Sequence, residues 1–367
     1  MDLLLRQGPM TKGDMRVATG MSQPSVLELF ERLQADHLIE SAGAVTGRRG
    51  PSALAFRVNP KRAAVAVARI DLRQVAAGVA DMAGELGGVV TASPPVGGEL
   101  PADRVLETVR RALVASESPV RPTLLVVAAT GVVDPGTGDI GYVSQHPEWR
   151  GSLRSRLEEE LGMPVHLENQ VNLLGLAELE ASDADERDFV LFALSPLGGA
   201  AAIIIDGRLW RGNFGAAGEI AYLPTGASSV ALGPANTVHG GLATLMESHP
   251  WPDGAPLPVA LVEPVSRIAA SLCAVVDPGR IVLAGPYGRR GGAELADLIG
   301  SQLRQSWPMP VRVETTRVSG DAVLKGAAVA GLNLLRESLW GPVTGLTRPP
   351  AKKTRRTRPV AASHGKR

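Results

Sequence analysis

The chain has 367 residues, too many for one small module and enough for two or three compact units. A hydrophobic fraction of 44% with 4% aromatics, 42 Gly and 28 Pro excludes a wholly disordered chain and suits a Val-, Leu- and Ala-rich α/β protein with many tight turns. The net charge of +1 hides basic ends and an acidic middle: residues 1–62 hold 9 Lys/Arg against 6 Asp/Glu, residues 348–367 hold 8 against none, and the span between carries −10. That polarity turns the ends toward a polyanion and the body away from it. The single cysteine, Cys273, excludes an internal disulfide framework and a multi-cysteine zinc cluster, and fits a reducing cytoplasm. Met1-Asp2-Leu3-Leu4-Leu5-Arg6 lacks the long apolar stretch of a signal peptide, and no uninterrupted apolar run approaches the ~20 residues of a membrane helix. The expectation is a cytoplasmic protein with no membrane partner.

From Thr11 to Ala35 the pattern is a short helix, a turn at Gly20-Met21, and a longer helix from Ser22, the layout of a helix-turn-helix. Ser22 is placed to cap the second helix, Pro24 is tolerated in its first turn, and Val26, Leu29, Phe30 and Leu33 give a buried stripe. Gln23, Ser25, Glu28 and Arg32 are left outward. In such a motif the N-terminal residues of the second helix meet base edges, and Gln23 has the paired donor and acceptor that read adenine. The competing reading of this stretch alone is a helical hairpin in a core. The leader before Thr11 leaves little room for a full first helix, which suggests a start missing residues.

Leu38-Ile39-Glu40 and Ala53–Val58 then read as strands around Gly47-Arg48-Arg49-Gly50-Pro51, a wing with arginines at its tip. Arg48 and Arg49 could lie on phosphates or in a narrow minor groove; in isolation the pair would be a solvated turn. Thr11, Ser22, Gln23, Ser25, Arg32, Arg48 and Arg49 therefore form the DNA-facing set, with a double-stranded operator as partner. The division expected is a winged helix-turn-helix over residues 1–60, a two-lobed body over 61–340 and a disordered basic tail over 341–367. The tail, rich in Pro, Thr, Lys and Arg, is either a phosphate-binding arm or a solubilising segment.

After Asn59-Pro60 the texture becomes α/β. Ala63–Ile70, Gln74–Asp81, Thr123–Ala128, Asp188–Leu194, Ala200–Ile205 and Arg280–Leu283 read as strands, and Leu106–Ala115, Leu153–Leu161, Val171–Leu179, Val262–Val276 and Glu294–Gln305 as helices. Strands followed by helices, twice over, predict two lobes with a cleft between them.

Several segments occur in a telling order: Ile70-Asp71-Leu72, Asp81–Glu85, Thr130–Asp134, Trp149, Pro164–Asn169, Asp206–Leu209, Gly212–Ile220, Asp277–Leu283 and Lys325–Ala328. In this order the chain resembles the ROK family of repressors and sugar kinases, built on the actin-like ATPase fold. The resemblance covers nearly everything but the tail. It implies a homodimer or higher oligomer, a sugar or sugar-derivative effector, and a ligand set of Thr130, Asn169, Gln170, Gly215, Glu219 and Tyr222.

The departures bear on activity. Gln170 stands where active relatives carry the aspartate that takes the sugar hydroxyl's proton, and an amide has no useful basicity. Asp71-Leu72-Arg73-Gln74-Val75 replaces the two glycines of the first phosphate loop, Pro196 removes an amide from the second (Ser195–Gly199), and the adenine-side turn is altered at Ala284-Gly285-Pro286. The zinc histidine of many members is Tyr222 here, and Leu223–Leu242 has no cysteine, so neither metal nor cofactor is expected. His239 reads as an exposed or cleft-edge residue, and Cys273 as a buried thiol. The ligand residues either bind vicinal hydroxyls or satisfy each other across a closed cleft. Three functions compete: a DNA-binding repressor of carbohydrate-related genes, a carbohydrate kinase with an accessory domain, and a ligand-independent DNA-binding protein. ATP-dependent hexose phosphorylation separates the second, and silence in a sugar titration the third.

Overall fold

The computed structural model describes residues 1–45, 53–71, 74–94, 101–143, 150–183, 185–224, 231–232, 238–239 and 241–340. The expected wing tip with Arg48 and Arg49, Trp149 and the tail 341–367 lie outside the described residues, as does the His239 side chain.

The chain opens with α1 (Asp2–Gln7), β1 (Met10–Thr11), α2 (Lys12–Thr19), α3 (Gln23–Ala35), β2 (Ile39–Val45) and β3 (Ala53–Val58). The strands form a sheet in the order β1-β3-β2. Thr11 starts α2 by a reciprocal capping box with Asp14, and Gly20 ends it in the left-handed conformation at φ 71°. Ser22 caps α3 by accepting the Ser25 N–H at 3.3 Å. Val26, Phe30 and Leu33 are buried, and the Phe30 ring meets Phe56 of β3 edge to face at 5.2 Å.

The first lobe follows as β4 (Ala64–Ile70), β5 (Val75–Asp81), β6 (Leu86–Ala92), α4 (Pro101–Ala115), β7 (Leu125–Ala129), the short pair β8 (Val132–Val133) and β9 (Ile140–Tyr142), α5 (Leu153–Leu161), β10 (Val165–Asn169) and α6 (Gln170–Glu180). The second has β11 (Phe189–Ser195), β12 (Gly198–Ile205), β13 (Arg208–Trp210), the short pair β14 (Ala231–Leu232) and β15 (Val238–His239), α7 (Leu242–Ser248), α8 (Val262–Val276), β16 (Arg280–Ala284), α9 (Gly285–Ser306), β17 (Arg312–Thr315) and α10 (Ala322–Trp340). The two five-stranded sheets run β10-β7-β4-β5-β6 and β13-β12-β11-β16-β17. Each is an antiparallel three-strand meander whose first strand pairs in parallel with a fourth, and that with a fifth. One topology therefore occurs twice.

α10 lies on β4 and β7 of the first sheet, α6 lies on β11 and β12 of the second, and the two helices pack on each other. Glycines allow the approach: a Cβ on Gly326 would stand 1.9 Å from the Leu173 carbonyl oxygen, and one on Gly175 would stand 2.6 Å from the Ala202 Cβ. The far end of α6 is tied to the second lobe through Glu178, which accepts from the Thr316 hydroxyl at 2.7 Å and the Arg317 N–H at 3.1 Å. Buried Arg280 lies 3.5 Å from the same carboxylate and also pairs with Glu314 and Ser182.

No break in apolar packing separates the N-terminal unit from the body. One buried cluster runs from Met15 and Phe30 through Val58 and Ala63 to Val65, Met82 and Leu324. The joint is a tight turn at Pro60–Arg62, where the Asn59 amide donates to the His37 carbonyl and Arg62 to the Asp36 carbonyl, both at 3.0 Å.

Several elements differ from expectation. β6 was not expected, because Gly87-Gly88 dilutes an edge strand whose faces alternate between half-buried and exposed. α10 was visible only as Lys325–Ala328, and β10 only as part of a motif. The Glu294–Gln305 helix is the second half of α9, which bends at Gly292 (φ 53°). One stretch among the described residues, Val259–Val276, is long and apolar enough by composition to cross a membrane. Its helix, α8, packs on α9 and pairs Glu263 with Arg267 on its outer side.

Adding one methyl at the α6–α10 contact should act as overpacking. We expect Gly326→Ala to lower unfolding free energy by about 1–3 kcal/mol, read as a lower urea midpoint at unchanged slope.

Candidate functional site

β10 ends and α6 begins at Asn169-Gln170, and the polar groups here are held from both lobes. Asn169 Oδ1 accepts the N–H groups of Val171 at 2.7 Å and Asn172 at 3.3 Å, which caps α6, while Nδ2 donates to the Gly131 carbonyl at 2.7 Å. Gln170 Nε2 donates to Thr130 Oγ1 at 3.2 Å. Glu168, 3% exposed, accepts from the Asn169 N–H and Asn172 Nδ2 through one oxygen, each at 2.9 Å. Its other oxygen takes two donors of Arg211, both at 2.7 Å. Arg211 follows β13, so this charge-assisted contact joins the lobes.

The facing loop, Gly212–Glu219, is pressed against the first lobe. Gly215 (φ 77°) sits where a Cβ would be 2.0 Å from the Val133 carbonyl oxygen. Beyond it the Tyr222 hydroxyl donates to the Tyr142 hydroxyl of β9 at 2.7 Å, again across the cleft. Burial, reinforced by the Tyr142 contact and the nearby Glu219 charge, pushes the Tyr222 phenol up, so it stays protonated. Burial likewise raises the Glu219 carboxyl above the usual range, and among the described residues no donor reaches it. The Arg150 guanidinium lies over the Tyr142 ring at 5.3 Å, and Phe214 stands 73% exposed.

Thr130, Asn169, Gln170 and Gly215 come together at Thr130–Val133, while Tyr222 reaches Tyr142 of β9 and Glu219 lies near Tyr222. Asn169, Gln170 and Tyr222 are engaged with protein partners, Gly215 abuts the backbone, and Glu219 is the carboxyl left open. The sequence reading missed Glu168's role, Arg211, Tyr142 and His166. The available signal was a charge at Glu168 directly after the apolar Leu167 of β10.

Among the described residues, the first two segments assigned by resemblance to nucleotide spend polar groups on their own neighbours. Asp71 accepts the Gln74 N–H at 3.1 Å and faces Arg69 at 3.6 Å, while Arg69 also pairs with Asp321 at 3.2 Å; Leu72 and Arg73 lie outside the described residues. Ser195 Oγ accepts the Leu197 N–H at 3.3 Å and donates to the Gly198 carbonyl at 3.2 Å, which closes that turn on itself. Tyr222, with no cysteine over Leu223–Leu242, does not fit a tetrahedral zinc site, and among the described residues no cluster of three or more metal-ligating side chains occurs.

On the N-terminal unit Gln23, Ser25 and Arg32 are exposed on α3. Ser22 caps it and shares a hydroxyl contact with Ser25 at 2.8 Å. Thr11 is a correction: it is 4% exposed and its hydroxyl donates to Asp14 at 2.8 Å, so it sets the start of α2 and is not presented to a groove.

Residues 97–237 match the model of the family described as "ROK family". The chain carries a ROK-family domain. Over 229 residues it is 20% identical to the xylose repressor of Bacillus spizizenii, covering 60% of this chain and 58% of that protein. Over 151 residues it is 26% identical to the glucokinase of Streptomyces coelicolor, covering 41% and 46%. A crystal structure of a ROK family transcriptional regulator, a homolog of the E. coli MLC protein, aligns at TM-score 0.67 and 18% identity over 92% of this chain and 96% of that one. That likeness is one of fold, the mixed α/β actin-like architecture that ROK regulators and ROK kinases share. The first curated relatives matched are spanned over only 24% to 34% of their own lengths.

Removing one partner of the interlobe pair leaves Glu168 buried and unpaired. Arg211→Met should cost about 3 kcal/mol, the low end for breaking a buried pair because Arg211 itself is partly exposed, measured by denaturant unfolding. Half-buried His166 has its pKa lowered first by burial and then by Arg211 and Arg154, against an opposing pull from Glu168. A depressed histidine contributes stability that is full above its unfolded value of about 6.5 and is lost as pH falls through the folded value. The urea midpoint should therefore drop between pH 7 and pH 5 by more in the wild type than in His166→Gln; equal drops would assign the acid loss elsewhere.

Proposed function

We propose that this ROK-family chain is a cytoplasmic transcriptional repressor of carbohydrate-related genes. In this reading the helix pair and wing bind a double-stranded operator, and the two-lobed body serves as dimerisation and sugar-sensing unit without kinase activity. The observation that carries it is the outward face of α3, where Gln23, Ser25 and Arg32 are free of the core that holds the rest of the helix. Similarity to a xylose repressor over more than half of both chains supports the same direction.

The cleft supports the non-enzymatic half. A phosphoryl acceptor needs a base at its hydroxyl and a backbone cradle for the nucleotide phosphates. Gln170 has no useful basicity and is bonded to Thr130, and the Ser195–Gly198 turn uses its own hydroxyl to satisfy its backbone. A polyol could still exchange with the Thr130–Gln170 contact and donate to Glu219. Such a ligand acts only if it binds one lobe arrangement better than another. Two copies would then present their α3 helices at matched or mismatched half-site spacing.

Selection of genomic fragments by the purified protein at near-physiological salt should recover a few palindromic sites. An Arg48→Ala/Arg49→Ala variant should bind them more weakly and with a shallower salt dependence, by roughly one unit of slope per lost phosphate contact. Incubation with ATP and a hexose panel should give no phosphorylated sugar. Turnover abolished by Glu219→Gln would replace the repressor with a kinase.

A further inference from the structure

The buried side of α3 is fixed by Val26, Phe30 and Leu33, so at about 100° per residue the opposite side carries Pro24, Glu28, Glu31 and Arg32, with Leu27 on its flank. All of these are exposed, and Gln23 and Ser25 stand at the margins. This side, which a groove would receive, carries two carboxylates against one guanidinium, where a phosphate-binding surface would be basic. Glu28 is in the second turn, one turn beyond Pro24 on the same face and within the N-terminal half of the helix that meets base edges. Arg32 is four residues further on, the spacing at which a Glu–Arg pair forms on a helix. Among the described residues neither side chain takes a partner.

An uncommitted carboxylate facing DNA has few options. Phosphates repel it, so it is not a backbone contact. It only accepts hydrogen bonds, and the major groove offers two donors, cytosine N4 and adenine N6. Adenine N6 is flanked on its own edge by the N7 acceptor, which repels the second carboxylate oxygen, whereas cytosine presents its amino group without an adjacent acceptor. Beside it Leu27, 39% exposed, offers an apolar surface suited to a thymine methyl.

We propose that Glu28 reads a cytosine in each operator half-site by accepting a hydrogen bond from its N4 amino group. The inference rests on the DNA-binding reading above and adds the base and the residue that reads it. The carboxylate also lowers affinity for every other sequence, since away from a cytosine it meets phosphate charge with no compensating donor. Specificity then comes partly from repulsion.

The test is selection from a randomised duplex library with the full chain, for wild type, Glu28→Gln and Glu28→Ala. Glu28 is exposed and partnerless, so neither variant should change the thermal midpoint. The wild type should enrich a half-site with cytosine at one position. Glu28→Gln, which can pair with adenine N6 and N7, should switch that position to adenine by roughly tenfold or more while leaving the others unchanged. Glu28→Ala should lose preference there and bind random duplex more tightly at low salt. The same half-site from all three proteins would overturn the role of Glu28 and leave the repressor reading intact. Absence of any enriched sequence from the wild type would overturn both.

Discussion

Backbone-to-backbone contact between α6 and α10 sets the distance between the two sheets, and through it the shape of the cleft. Each helix rests on a different sheet, so the thickness of the pair is the separation of the lobes. The contact is close because Gly326 has no side chain where it meets the Leu173 carbonyl, and the seating of each helix on its sheet is close because Gly175 meets Ala202 of β12 and Gly331 meets Val65 of β4 and Val126 of β7. Close-packed interiors do not deform continuously, so a seam of this kind holds one spacing or shifts to another. The N-terminus of α6 is also the site where Asn169 and Gln170 are presented. The element that spaces the lobes therefore aims the polar groups between them.

Inside the cleft the contacts differ enough in strength to predict which would give way. A neutral hydrogen bond such as Thr130–Gln170 contributes about 0.5–1.5 kcal/mol net, and a hydroxyl-rich ligand can replace it nearly in kind. The Glu168–Arg211 pair cannot be exchanged that way, since its carboxylate is buried and holds four donors. Tyr142–Tyr222 is intermediate, a neutral pair whose burial keeps the Tyr222 proton in place. A ligand entering beside Glu219 would thus rearrange Thr130 and Gln170 first, against a frame that Glu168 and Arg211 keep closed.

Much of this architecture was legible in the sequence because periodicity and capping are local. The α3 stripe, the Ser22 cap and the strands β4, β5, β7 and β11 follow from nearest neighbours. α10 was not legible, since Gly326 and Gly331 weaken its intrinsic preference and are chosen by what they touch on α6, β4 and β7. Thr11 misled for a related reason: a Thr with Asp three residues later is a capping signature, and the cap uses the hydroxyl that a groove contact would need. At the cleft, Thr130, Asn169 and Gln170 share one neighbourhood, yet the partners Arg211 and Tyr142 lie 43 and 80 residues from Glu168 and Tyr222. No local pattern encodes such pairings. They arise from the fold bringing β9 and the end of β10 against the segment after β13.

The continuous core beneath the N-terminal unit constrains how any signal could leave the cleft. β4 starts at the Ala63 joint and ends beside Arg69, which is bound to Asp71 and to Asp321 at the start of α10. Val65 and Met82 pack in the same cluster as Phe30 and Val58, and Arg62 is bonded to the end of α3 at Asp36. The helix pair is therefore held to the first lobe as one packed body and is not hung from a loose linker. Under the proposed reading a ligand cannot reorient α3 relative to β4 without breaking that core, which would cost far more than an exchange of cleft hydrogen bonds supplies. The softer coordinate is the angle between lobes, where the exchangeable contacts lie. A change there, carried by the second lobe into a symmetric dimer, would alter the distance between two rigid first lobes and hence between their α3 helices.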